Sequence, residues 1–130
     1  MKHCILVVED NQLNRELLFD WLEVEGYEVW SAADLKASYE VFSKRLPDAV
    51  LLDINLGAEN GLDLLGWMRQ KPETREIPVI AVTAHALVPE KERILQAGCR
   101  ACLSKPIDFH LLRTELSRWL QDAKAPKVNS

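Results

Sequence analysis

Five side chains of complementary chemistry close otherwise apolar stretches of the sequence. Glu9 and Asp10 follow CILVV, Asp53 follows AVLL, Thr83 follows VIAV, and Lys105 follows the weaker run ACLS. Three carboxylates brought together repel one another, so such a group either holds a proton or recruits a hard cation. Oxygen ligands with room for water suit Mg²⁺, which uses one or two carboxylates and leaves other positions to phosphate oxygens. Beside that charge, Asp53 can act as a nucleophile through a carboxylate oxygen, the route to an aspartyl phosphate. Lys105 offers a compact positive charge to the transferred group, and the Thr83 hydroxyl can donate to a phosphoryl oxygen. Singly, each has a plainer explanation: a Glu-Asp pair caps the next helix, with Asp10 or Asn11 as the cap, and Lys-Pro makes a turn. Asp53 is harder to dismiss, because a charge beside a buried strand is costly unless it is used or paired.

The elements must bring these residues together. Residues 4–8, 49–52 and 79–82 are continuously apolar rather than alternating, which predicts strands covered on both faces, as in a parallel sheet. Weaker strands are predicted at 28–32 and 101–103. Helical spacing joins Leu13, Leu17, Trp21 and Val24, then Leu35, Tyr39, Phe42 and Leu46, then Leu62, Leu65 and Met68. A last helix from about Asp108 repeats Leu112, Leu116, Trp119 and Leu120. Gly26, Pro47, Pro72, Pro78 and Gly98 interrupt the pattern between elements. Five βα units predict a flavodoxin-like (βα)5 fold, a doubly wound parallel α/β sheet of strand order 2-1-3-4-5. Ligands of such sheets bind beyond the carboxyl ends of the strands, where all five residues fall.

With 130 residues, 48% of them hydrophobic, the chain can build one core but not two. One domain over 1–122 and a fraying polar tail over 123–130 are predicted. A net charge of -4 argues against nucleic acid and anionic membrane as partners. No apolar run is long enough to span a bilayer and the start lacks a signal-peptide core, which points to the cytoplasm. Cys4, Cys99 and Cys102 form an odd, sparse set. The C-x-x-C of Cys99 and Cys102 follows Gly98 and leads into an apolar strand, so a turn plus a buried strand residue is expected rather than a redox or zinc site.

VVEDNQLN at 7–14, LLDINLGAENG at 51–61, AVTAHAL at 81–87 and AGCRACLSKPI at 97–107 together resemble the receiver domain of two-component response regulators, over about residues 3–120. The resemblance implies Asp53 as phosphoacceptor and Glu9, Asp10 and Asp53 as ligands of Mg²⁺, with Asn55 contributing its backbone carbonyl. It makes Thr83 the switch hydroxyl and Lys105 the partner of the acceptor and phosphoryl group. It also implies a cis bond before Pro106, and Asn55 and His85 as residues that tune phosphoryl loss. The implied partners are a sensor histidine kinase or histidine phosphotransfer protein and a downstream protein target. Leu87, Val88, Arg100 and Phe109 are expected to face partners. The product is a switch without sustained turnover, either free-standing or part of a longer chain such as a hybrid kinase. Two departures stand out. Cys102 occupies a position usually held by an aromatic ring, which predicts altered coupling to the output face. Gly57 replaces a common Pro, which predicts a looser 53–61 loop.

Three competing functions predict different residues. A flavodoxin needs Ser, Thr and Gly donors for a phosphate where Glu9 and Asp10 would repel it. A phosphohydrolase of the haloacid dehalogenase type needs a second Asp two residues after the first, where this chain has Asn55. A pure docking module would keep the pocket without using it.

Overall fold

Alternation along each central strand divides the protein's apolar residues between two helical layers. The computed structural model describes residues 2–84 and 87–120. Strands β1 (Cys4–Val8), β2 (Glu28–Ala32), β3 (Ala49–Asp53), β6 (Val79–Thr83) and β7 (Ala101–Ser104) form one parallel sheet of order β2-β1-β3-β6-β7. Two further short strands, β4 (Asn55–Leu56) and β5 (Glu59–Asn60), make a separate hairpin; setting them aside, the order is the predicted 2-1-3-4-5. Every residue of β1, β3 and β6 is buried, as continuous apolar runs require.

On one face, Leu6, Val8, Val50, Leu52 and Ala81 pack against α2 (Leu35–Lys44), α3 (Leu62–Arg69) and α4 (Val88–Gln96). On the other, Ile5, Val7, Leu51 and Ile80 meet α1 (Gln12–Val24) and α5 (Phe109–Leu120). No helix among the described residues is long and apolar enough to cross a membrane.

The structure corrects the buried face of α1. Leu13, Leu17 and Val24 are exposed, Trp21 is half-buried, and Leu18 and Leu22 enter the core. Burying Leu22 contributes about 2 kcal/mol against leaving it in water, and only one of the two adjacent stripes can face the sheet. Leu46 likewise lies beyond α2 and is exposed. α5 keeps its expected face, with Leu112, Leu116 and Leu120 buried. Positive φ at Gly26 and Gly98 closes α1 and the α4–β7 turn. The expected tail and His85 lie outside the described residues.

Candidate functional site

The ladder continues past the strands and fixes the backbones that carry the site. Glu9 N–H donates to Ala32 O at 3.0 Å, Ile54 N–H to Val82 O at 3.1 Å and Lys105 N–H to Thr83 O at 2.9 Å. The side chains of Glu9, Asp53 and Lys105 converge. Lys105 Nζ donates to Asp53 Oδ2 at 2.9 Å and lies 3.1 Å from Glu9 Oε1. The other carboxylate oxygens are held too: Asp53 Oδ1 accepts from Asn55 N–H at 3.0 Å and Glu9 Oε2 from Asn11 N–H at 3.1 Å. Asn11, rather than Asp10, caps α1 through Asn14 N–H at 2.9 Å. Asp10 is thereby left exposed at the mouth while Glu9 and Asp53 are buried. Thr83 is buried at the end of β6, one residue beyond Val82, the register partner of Asp53. The Lys105-Pro106 bond is cis, as the resemblance implies.

Glu9, Asp10 and Asp53 each offer an oxygen within 4.8 Å of the others. Opposite oxygens of an Mg²⁺ octahedron stand about 4.2 Å apart, from bonds of about 2.1 Å, so the donor set fits that ion with little rearrangement. Three carboxylates face one ammonium here, a charge imbalance that a divalent cation would offset.

Residues 5–117 match the response regulator receiver domain. The chain belongs to that family. It is 38% identical over 123 residues to the polar-differentiation response regulator DivK of Brucella anthropi, covering 95% of this chain and the whole of that protein. A response regulator of Chloroflexus aurantiacus superposes with a TM-score of 0.87 at 30% identity, over 93% of this chain and 99% of the other. The receiver domain of a sensor histidine kinase from Pseudomonas aeruginosa, solved with a magnesium ion coordinated in its active-site cleft, gives 0.83 at 33% identity over 93% and 99%.

The receiver's acidic cleft also has a pH signature. Burial pushes the Glu9 carboxyl above its ordinary 4.5, and the Asp53 charge adds to the rise; the Asn11 N–H and Lys105 oppose it. Folded protein therefore holds this proton more tightly than unfolded chain, so the contribution of Glu9 to stability declines as pH rises from about 4.5. Burial would lower the Lys105 ammonium, but its bonds to Asp53 and Glu9 outweigh that and raise it above 10.5. Its contribution is present below 10.5 and is lost only as pH climbs through that raised value. Glu9→Gln is expected to gain stability relative to the wild type as pH increases from about 4 to 7, in melts with chelator present. A difference independent of pH would show that Glu9 does not titrate abnormally.

Residues 53–61, which Gly57 was expected to loosen, carry the β4–β5 hairpin, with Gly57 at φ +61. Glu59 Oε1 accepts from Leu35 N–H at 3.1 Å, adding to the Asp34 cap of α2 and tying the hairpin to that helix. A glycine in the left-handed region suits the turn, and Glu59 anchors β5 against α2. The sequence reading missed this contact, whose one trace is an acidic residue in the loop.

Cys99 is buried and Cys102 half-buried in β7, and both are free thiols. Burial pushes Cys99 up to about 12 and raises Cys102, the opposite of a reactive dithiol. Leu87 and Val88 are exposed. Phe109 is not on that side: it packs on Trp21 of α1 with ring centroids 4.9 Å apart.

Proposed function

We propose that this receiver accepts a phosphoryl group on Asp53 from a phosphohistidine of a sensor kinase or phosphotransfer protein. The observation that carries the reading is the convergence of Glu9, Asp10, Asp53 and Lys105 from separate strand ends. An Asp53 carboxylate oxygen forms a bond to phosphorus as the donor's P–N bond breaks, and the imidazole leaves with a proton. Glu9, Asp10 and Asp53, with the Asn55 carbonyl, would hold Mg²⁺, which neutralises charge on the transferring group. Lys105 keeps its charge at neutral pH and pairs with a phosphoryl oxygen in place of its present bond to Asp53. Thr83 then donates its hydroxyl to the new anion and shifts the equilibrium of the adjoining surface toward the bound form.

The output is a protein contact made by the surface around Leu87 and Val88, which are exposed. Cys102 packs against the α2–α4 core layer and carries no ring to rotate, so coupling runs through displacement of α4. His85 remains a candidate for tuning phosphoryl lifetime by its position two residues after Thr83.

Incubation with Mg²⁺ and a small phosphodonor is expected to give an acid-labile adduct by intact mass, mapped by borohydride reduction to the 53-containing peptide. Chelator should prevent it. No adduct would favour the docking module instead.

A further inference from the structure

A second cavity, of about 560 Å³, lies at the other end of the sheet, between the α3–β6 connection and the α4–β7 turn. Arg100 N–H donates to the carbonyl of Val79, the first residue of β6. Asp53 is in register with Val82, three residues on and so about 10 Å along the strand. The cavity is thus separate from the acidic cleft.

Its lining has unusual charge for a chain with a net charge of -4. Arg69, Arg75 and Arg100 line it with Glu76, beside apolar side chains that include Ile77 and Leu95. Arg69 is fixed: its Nη1 donates to Ala97 O at 2.9 Å and lies over Gly98, where any Cβ would collide with it. Arg100 makes a loose pair with Glu76, at 3.7 Å, and its guanidinium also lies over the Trp119 ring, 5.2 Å from the centroid; Glu76 is itself exposed. The Arg75 guanidinium has no hydrogen bond or ion pair among the described residues. The lining thus carries three guanidiniums and one carboxylate, an excess of two positive charges.

We propose that this cavity binds a small organic phosphate, a monoester dianion with an apolar or aromatic body of nucleoside monophosphate size. Guanidinium forks match phosphate oxygens pairwise, and a dianion cancels the local excess. The volume falls in the range of small-molecule sites, and half-buried Ile77 with exposed Leu95 gives the body an apolar seat. The ligand bridges the α3–β6 connection and the α4–β7 turn.

Calorimetry and thermal melts of the whole protein with adenosine 5′-monophosphate, phenyl phosphate, inorganic phosphate and adenosine test this. Chelator is kept present so that the acidic cleft cannot recruit phosphate through a metal. Saturable binding of both organic phosphates is expected, at least about tenfold tighter than of inorganic phosphate or adenosine. Arg75→Gln should weaken it about tenfold without changing the ligand-free melt, since the guanidinium has no partner to lose. Asp53→Asn should leave the affinity unchanged, which separates this site from the proposed phosphoacceptor. Four results would overturn the proposal: no saturable binding, equal affinity for inorganic phosphate, indifference to Arg75→Gln, or loss of binding in Asp53→Asn. Stronger binding of an acidic peptide than of either organic phosphate would assign the surface to a protein partner instead.

Discussion

Asp53→Asn is expected to abolish the phosphoryl adduct while raising the melting temperature of the metal-free protein. The two effects have one origin, the placement of a buried carboxylate among like charges. Oxygens of Glu9 and Asp10 lie within 4.8 Å of Asp53, so each repulsion is about 3 kcal/mol at an effective dielectric near 20. The attraction to Lys105 at 2.9 Å is about 6 kcal/mol on the same scale, which nearly cancels them. Desolvation then decides the sign. Asp53 is 4% exposed, and keeping an ion there costs several kcal/mol that the neutral amide avoids. A rise of several degrees follows, at about 4 °C per kcal/mol for a domain of this size. Saturating Mg²⁺ should stabilise the wild type more than the variant and narrow the gap. A lower metal-free melting temperature for Asp53→Asn would show that the Lys105 bond outweighs burial and repulsion together. An adduct on the variant would move the acceptor elsewhere.

The second large effect belongs to a residue with no functional group. Gly61 has φ -58 and ψ -26, ordinary helical values, so its identity is not a matter of backbone freedom. A Cβ here would overlap the carbonyl oxygen of Asp53 and stand 3.0 Å from Ile54 Cα, and both are backbone atoms. The Gly61 N–H also donates to Ile54 O at 2.7 Å, which holds the segments together. Gly61→Ala should therefore destabilise by about 3 kcal/mol, the upper end for overpacking. Denaturant midpoints at unchanged m value would read it. Because the displaced backbone belongs to Asp53, adduct formation per folded molecule should fall as well. Stability within about 1 kcal/mol of the wild type would mean that the hairpin moves aside freely.

The strands were legible because burial on both faces leaves one kind of residue possible. Residues 4–8 and 28–32 were placed as found, and β3, β6 and β7 each extend one residue past the apolar run, into Asp53, Thr83 and Ser104. Two of those extensions, Asp53 and Thr83, are the residues proposed to carry the chemistry, since a strand end is where a buried backbone meets the cleft. Glu9, Asp10, Asp53 and Lys105 were legible for the same reason, and the structure brings them together. The face of α1 was not. Leu13, Leu17, Leu18, Trp21 and Leu22 supply two overlapping stripes, and periodicity cannot choose between them without the sheet. The hairpin escaped because Asn55, Gly57, Glu59 and Asn60 form no apolar pattern and its tie to α2 runs to a backbone N–H. The arginine cavity escaped because Arg69, Arg75 and Arg100 follow no spacing rule; tertiary structure alone gathers them.

Lys105 meets Asp53 across 52 residues of sequence and Glu9 from β1 near the start of the chain. Loops of that length close late, because their entropy must be offset by the rest of the fold. The cleft consequently cannot exist in a nascent or half-folded chain that lacks β7. If Asp53 is the acceptor, competence to receive a signal doubles as a certificate that the receiver fold itself is complete. A misassembled copy would stay silent in the circuit rather than draw phosphoryl groups away from it.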